Sequence, residues 1–177
     1  MEIYKKFTPK KEEYGVFYEG YLKNVDGLSI AEAWEKDESE WKKFFATLQA
    51  EDLDKAYAEG KWSVARLMIH CFDAERIFAV RALRLLRGEK KPMTGYDENA
   101  YANAIPAESY SCEELKHQFS TTRAFTRSIY LHADEERMKM MGEASGYPIT
   151  ARALGLIIPG HNLHHLNVLK ERYGFEF

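Results

Sequence analysis

"VARLMIHCFDAERIFAVRALRLLRG" runs from Val64 to Gly88 with no proline or glycine before its last residue. Val64, Leu67, Cys71, Ala74, Phe78, Ala82 and Leu85 recur at spacings of three and four, the period of one helical face rather than the two-residue alternation of a strand. Ser63 stands ahead of the run as an N-cap and Gly88 closes it. The other side carries Ile69, Phe72, Val80 and Leu83. A helix apolar nearly all round is expected to be buried on several sides, against a second subunit as well as its own core.

Working outward, three more long helices emerge. "SIAEAWEKDESEWKKFFATLQ" places Ile30, Ala33, Trp34, Trp41, Phe44, Phe45 and Leu48 largely on one face, over about residues 29–49. "SCEELKHQFSTTRAFTRSIYLHA" opens with Ser111 and has Glu114 three residues later, a capping box. "TARALGLIIPGHNLHHLNVLKERYG" makes the last, ending at Gly174. Between the second and third lies "EKKPMTGYDENAYANAIPAESY", whose prolines and glycine predict a long, partly irregular crossover. "TPKKEEYGVFYEGYLKNVDG" reads as a short helix and a turn, and "DEERMKMMGEASGYP" as a loop with a helical turn. No repeat or linker divides the chain, so residues 1–177 are expected to form one all-α domain, an up-down four-helix bundle with a long crossover.

Composition narrows the function. A net charge of -3 over 177 residues gives no electrostatic footprint for nucleic acid or an anionic membrane. Charge interrupts every apolar stretch before the roughly 18 residues that a spanning helix requires. Cys71 and Cys112 are too few for a disulfide framework, and the opening "EIYKKFTPKKEEYG" is polar, so a soluble cytoplasmic protein is expected.

Histidines then stand out. At about 100° per residue, Leu154, Ile157, Ile158, Val168 and Leu169 form one stripe of the last helix, with His161 near its centre and His165 about 40° away. Two imidazoles one turn apart on a buried face have the spacing of two metal ligands from one helix. His70, on the flank of the second helix, is the candidate third ligand. A single buried histidine is readily satisfied by one hydrogen bond. Two on one stripe are harder to satisfy, and a shared cation removes the penalty. His117, in a polar run, and His132, at a helix end, read as surface residues.

Four neighbours complete the candidate set. Arg81, about three turns beyond His70, is suited to a substrate carboxylate or to a salt bridge with a bundle glutamate. Asp73 is placed as an acceptor behind His70. His164, at the edge of the stripe, reads as a hydrogen-bonding neighbour or dimer contact, and Asn162 lies toward the other edge.

"GKWSVARLMIHCFDAERIFAVRALRLLRGEKKPMTGYDENAY" together with "GHNLHHLNVLKERY" resembles the DinB-like (DinB/YfiT) superfamily of metalloenzymes, over about Trp41 to Tyr173. The specific elements are Gly60-Lys61-Trp62-Ser63 at the helix opening, the His70 to Arg76 run, Arg81 to Arg84, and the terminal Gly-His-x-x-His-His. The resemblance implies a four-helix bundle with a divalent metal on three histidines, which fall on His70, His161 and His165. It also implies a homodimer, and activities such as thiol S-transfer with low-molecular-weight thiols or mycothiol-dependent isomerisation. Relatives often carry glutamate where this chain has Asn162; an amide can orient a neighbour but cannot shuttle a proton.

Three neutral imidazoles leave an ion its full charge and an open position. Such an ion lowers the pKa of water or binds a thiolate, and imidazole suits zinc, the first choice, and nickel, the second. The expected function is therefore a metal-dependent thiol transferase or hydrolase acting on a small molecule, with a low-molecular-weight thiol as a candidate co-substrate. The rivals are a non-catalytic metal- or ligand-binding helical dimer and a purely structural one.

Overall fold

The computed structural model describes residues 1–104 and 106–177. In chain order its α-helices are α1 (Glu19–Leu22), α2 (Ile30–Thr47), α3 (Val64–Leu86), α4 (Glu98–Asn103), α5 (Cys112–Tyr130), α6 (Glu135–Met138) and α7 (Ala151–Tyr173). Strands β1 (Met141–Ala144) and β2 (Tyr147–Thr150) form a hairpin just before α7. No helix among the described residues is long and apolar enough to cross a membrane.

The four long helices start where their caps dictate. Ser29 and Ser111 each form a capping box, with Glu32 and Glu114, while Ser63 and Thr150 accept from the backbone N–H of Arg66 and Ala153. Gly174 ends α7 in the left-handed conformation, at φ +75°, so that the Phe175 N–H turns back onto the Leu169 carbonyl. Trp34, Trp41, Phe44, Phe72, Leu85, Leu115, Tyr130 and Leu154 are fully buried between these helices.

Side-chain contacts fix their directions. Trp34 meets Gly155 and Glu40 meets Lys170, so α2 and α7 are parallel. Phe72 meets Phe119 and Glu75 meets Thr126, so α3 and α5 are parallel too. Tyr173 at the end of α7 bonds to Trp62 just ahead of α3, which makes those two antiparallel. The order is up, down, down, up, and the expected four-helix bundle with its crossover is what forms. Because the crossover joins two helices that run the same way, it must travel the length of the bundle. Its position 105 lies outside the described residues.

α7 continues through Pro159, which has no N–H to give the Gly155 carbonyl one turn back. The Trp34 indole N–H fills that vacancy at 3.1 Å. Gly160 follows because the backbone of α1 passes against it: a Cβ there would collide with the Tyr21 carbonyl oxygen. Gly160→Ala is therefore expected to destabilise by about 1–3 kcal/mol, although an ordinary helix interior would gain from the change. Denaturant unfolding checks this, and a neutral or stabilising result would contradict the close approach.

Two local expectations need correction. The N-terminal segment, read as a short helix and a turn, is a chain of 3₁₀ turns (Lys11–Glu13, Val16–Tyr18, Lys23–Val25) around the single turn of α1. The segment after α6, read as loop, contains the hairpin. Ser145 and Gly146 both take positive φ, 55° and 81°, as a two-residue hairpin turn requires. Met93 of the crossover bonds to Glu143 and Ser145, tying the hairpin to the bundle.

Candidate metal centre

α3 and α7, packed antiparallel, bring His70, His161 and His165 together. The Nε2 atoms of His70 and His161 are 3.2 Å apart, and those of His165 and His161 3.1 Å. These three are the one group among the described residues whose metal-ligating atoms converge in this way. The first two histidines are buried and His165 half-buried. Trp62 packs on the His70 ring at 4.8 Å, Tyr21 meets His161 edge-on at 5.1 Å, and Phe78 does so at 5.9 Å.

Hydrogen bonding alone does not account for this cluster. A neutral imidazole Nε2 offers either one hydrogen or one lone pair, so His161 Nε2 cannot be well matched to both neighbours. Ligands about 2.0–2.1 Å from one ion lie roughly 2.9 Å apart at right angles and roughly 3.4 Å apart at tetrahedral angles. The observed separations fall between those limits, and the donor set fits a divalent ion of the imidazole-binding kind. Burial depresses the pKa of all three. His70 falls to about 4, and His161 and His165 fall well below the usual range, with neighbouring histidines adding to the effect. Each ring is thus neutral at physiological pH, the form that ligates.

The rings line one end of a cavity of about 390 Å³, walled by Phe17, Tyr18, Tyr21, Trp62, Phe78 and Tyr96, and reached by Arg81, Glu98 and Ser145. That size and aromatic lining suit a small organic molecule.

The remaining candidates separate. Asp73 does not back His70: Arg76, one turn on, holds its carboxylate at 2.8 Å. His164 is exposed beside Tyr21 and His165. Asn162 is fully buried behind His161, its Nδ2 donating to Asp37 at 3.2 Å and to Glu75 at 3.0 Å. Among the described residues Arg81 makes no salt bridge to a bundle glutamate; its Nη2 donates to the Thr94 carbonyl at 3.0 Å and to Ser145 Oγ at 3.1 Å. His117 and His132 are exposed, as their sequence surroundings suggest.

Asn162 belongs to a buried network that the sequence reading missed. Arg123 of α5 bonds both Glu75 oxygens at 2.9 Å and also holds Asp37 of α2, while Thr126 donates to Glu75 at 2.8 Å. All four long helices contribute a member. Two carboxylates share one guanidinium, and the surplus charge falls on Asp37, pushed up to about 7 by burial. Burial acts upward on Glu75 as well, but Arg123, Thr126 and Asn162 together hold it below the ordinary range. Asp37 lies between Trp34 and Trp41 on the apolar stripe of α2, which was the available signal.

The sequence profile of the DinB superfamily matches residues 33–169. Among solved structures, YfiT from Bacillus subtilis, described as "a probable metal-dependent hydrolase with an unusual four-helix bundle topology", superposes with a TM-score of 0.69 at 18% identity, over 97% of this chain and 95% of that one. The mycothiol-dependent maleylpyruvate isomerase superposes with a TM-score of 0.56 at 14% identity, over 84% of this chain and 59% of the isomerase. At such identities both likenesses concern the fold. No curated protein matches the sequence. With its profile covering most of the bundle and the same fold in both relatives, the chain belongs to the DinB superfamily.

Proposed function

We propose that this protein is a metal-dependent enzyme acting on a small molecule, with His70, His161 and His165 holding a divalent ion, zinc ahead of nickel. The convergence of the three Nε2 atoms, at 3.1 and 3.2 Å, is the observation that supports it. A divalent ion there supplies the charge that lowers the pKa of a thiol or of water toward neutrality. The chain does the rest. Burial keeps the three rings unprotonated, Trp62, Tyr21 and Phe78 shield them from solvent, and the aromatic cavity orients the second reactant. The description of YfiT as a hydrolase and the mycothiol dependence of the isomerase favour water or a low-molecular-weight thiol as nucleophile. Asn162 lies behind His161 rather than on the cavity wall, so the amide leaves the composition of that wall unaltered.

Elemental analysis of protein purified without chelator is expected to find stoichiometric metal. A screen of bacillithiol-, mycothiol- and coenzyme-A-type thiols against electrophiles, and of esters with water, then tests turnover. Absence of metal would favour a structural role for the histidines, while metal without turnover would favour a binding module.

The depressed pKa values make a separate prediction. At pH 6, three ordinary imidazoles would release about two protons on binding a metal. Here the ligands are expected to release fewer than one, because burial has already stripped them. Calorimetry in two buffers of different ionisation enthalpy counts the protons, and a count near two would show that the rings are not held neutral.

A further inference from the structure

Buried Arg123 holds Glu75 and Asp37, and half-buried Arg152 holds Glu13. Arg81 is the exception. It is 4% exposed, yet among the described residues no carboxylate lies within ion-pair distance. Its Nη2 donates to two neutral oxygens and the neutral Tyr18 phenol also stands within reach, so none of these partners carries the opposite charge. Burying a guanidinium without a counter-charge is costly, and its planar fork matches a carboxylate. This cation faces the same cavity as the three histidines.

Its surroundings are complementary to an anion. Ser145 Oγ accepts from Arg81, which leaves the hydroxyl hydrogen free to donate into the cavity. Tyr18 and Tyr96 stand close by, and burial, opposed only partly by Arg81, raises both phenols so that they remain O–H donors. The guanidinium carbon lies 5.9 Å from the centre of the Phe78 ring, and that ring lies 5.9 Å from the His161 ring. Phe78 therefore forms a floor between a cationic end and a metal-ligating end. Glu98 is the one acid among the lining residues, and its charge disfavours a second negative group.

We propose that the cavity takes a small organic monocarboxylate, its carboxylate held by Arg81 and Ser145, its apolar body lying across Phe78 and its far end presented to the three histidines. Which end reacts rests on the function proposed above; the anion site does not.

The test uses chelator-treated protein, titrated by calorimetry with benzoate and with its neutral isostere benzamide. Benzoate is expected to bind and benzamide to bind at least ten-fold more weakly. Arg81→Gln should weaken benzoate about 10- to 100-fold, and Arg81→Lys should weaken it less, retaining charge without the fork. Should Arg81→Gln fail to fold, Arg81→Lys, Ser145→Ala and the benzoate–benzamide comparison on the unmodified protein carry the test. Equal binding of the two probes, no benzoate binding, or benzoate affinity indifferent to Arg81 would each overturn the proposal. A protein that holds zinc but not benzoate keeps the three-histidine reading and loses only this one. One that binds benzoate through Arg81 but no metal does the reverse.

Discussion

His161→Ala is expected to weaken divalent-metal binding by more than about 100-fold, since removing even a group that merely supports a ligand costs 10- to 100-fold. His161 is the shared vertex of the cluster, with its Nε2 in contact with both of the others. Without it, His70 and His165 are left as two ligands on different helices. His117→Ala, on the exposed face of α5, should retain full metal content. Elemental analysis and competition with a chromophoric chelator measure both. Equal metal in the two variants would mean that the three rings do not share an ion.

Arg123→Met is expected to cost about 3–5 kcal/mol of folding stability, because it removes one partner from a buried ionic group and strands the others. Asp37 and Glu75 are 0% and 1% exposed, so neither can turn to water. The loss should depend on pH with a definite sign. Without the guanidinium, burial drives both carboxylates upward, as it already does Asp37. Their folded pKa values then exceed the unfolded ones, so their protonated, neutral forms are retained at low pH and the penalty grows as pH rises through the window above about 4. The deficit relative to the unmodified protein is thus largest at neutral pH and smallest near pH 4. Arg127→Met, which breaks the exposed pair with Glu38, should cost less than about 1 kcal/mol. Denaturant unfolding at both pH values reads these effects; a pH-independent loss, or one equal to that of Arg127→Met, would argue against the network as described.

Much of this was legible in the residues because it rests on helical period and caps. Ser63, Ser111 with Glu114, and Gly174 mark boundaries that the structure places within a few residues. His161 and His165 follow from a 100° rotation on a helix whose apolar stripe is plain. What was not legible depends on contacts between distant segments. The hairpin gives little strand signal: it is short, contains Pro148 and Gly142, and owes its pairing partly to Met93 of the crossover. The fates of Asp73 and Arg81 were open for a related reason. A helical wheel gives a direction but not the partner met there, and Asp73 found Arg76 while Arg81 found Thr94 and Ser145. Asp37, Glu75 and Arg123 were each visible as charges, but only the assembled bundle reveals that they meet.

The cavity is built from two kinds of material. One end stands on α3 and α7, rigid scaffold whose residues are committed to the bundle interior. The other is furnished by the N-terminal turns, the crossover and the tip of the hairpin, which supply Tyr18, Tyr96 and Ser145. Those segments lie outside the four long helices. Under the proposed function, a change in the hairpin tip would reshape what the cavity accepts without disturbing the three histidines, and grafting that ten-residue stretch between relatives would be a direct route to altered selectivity.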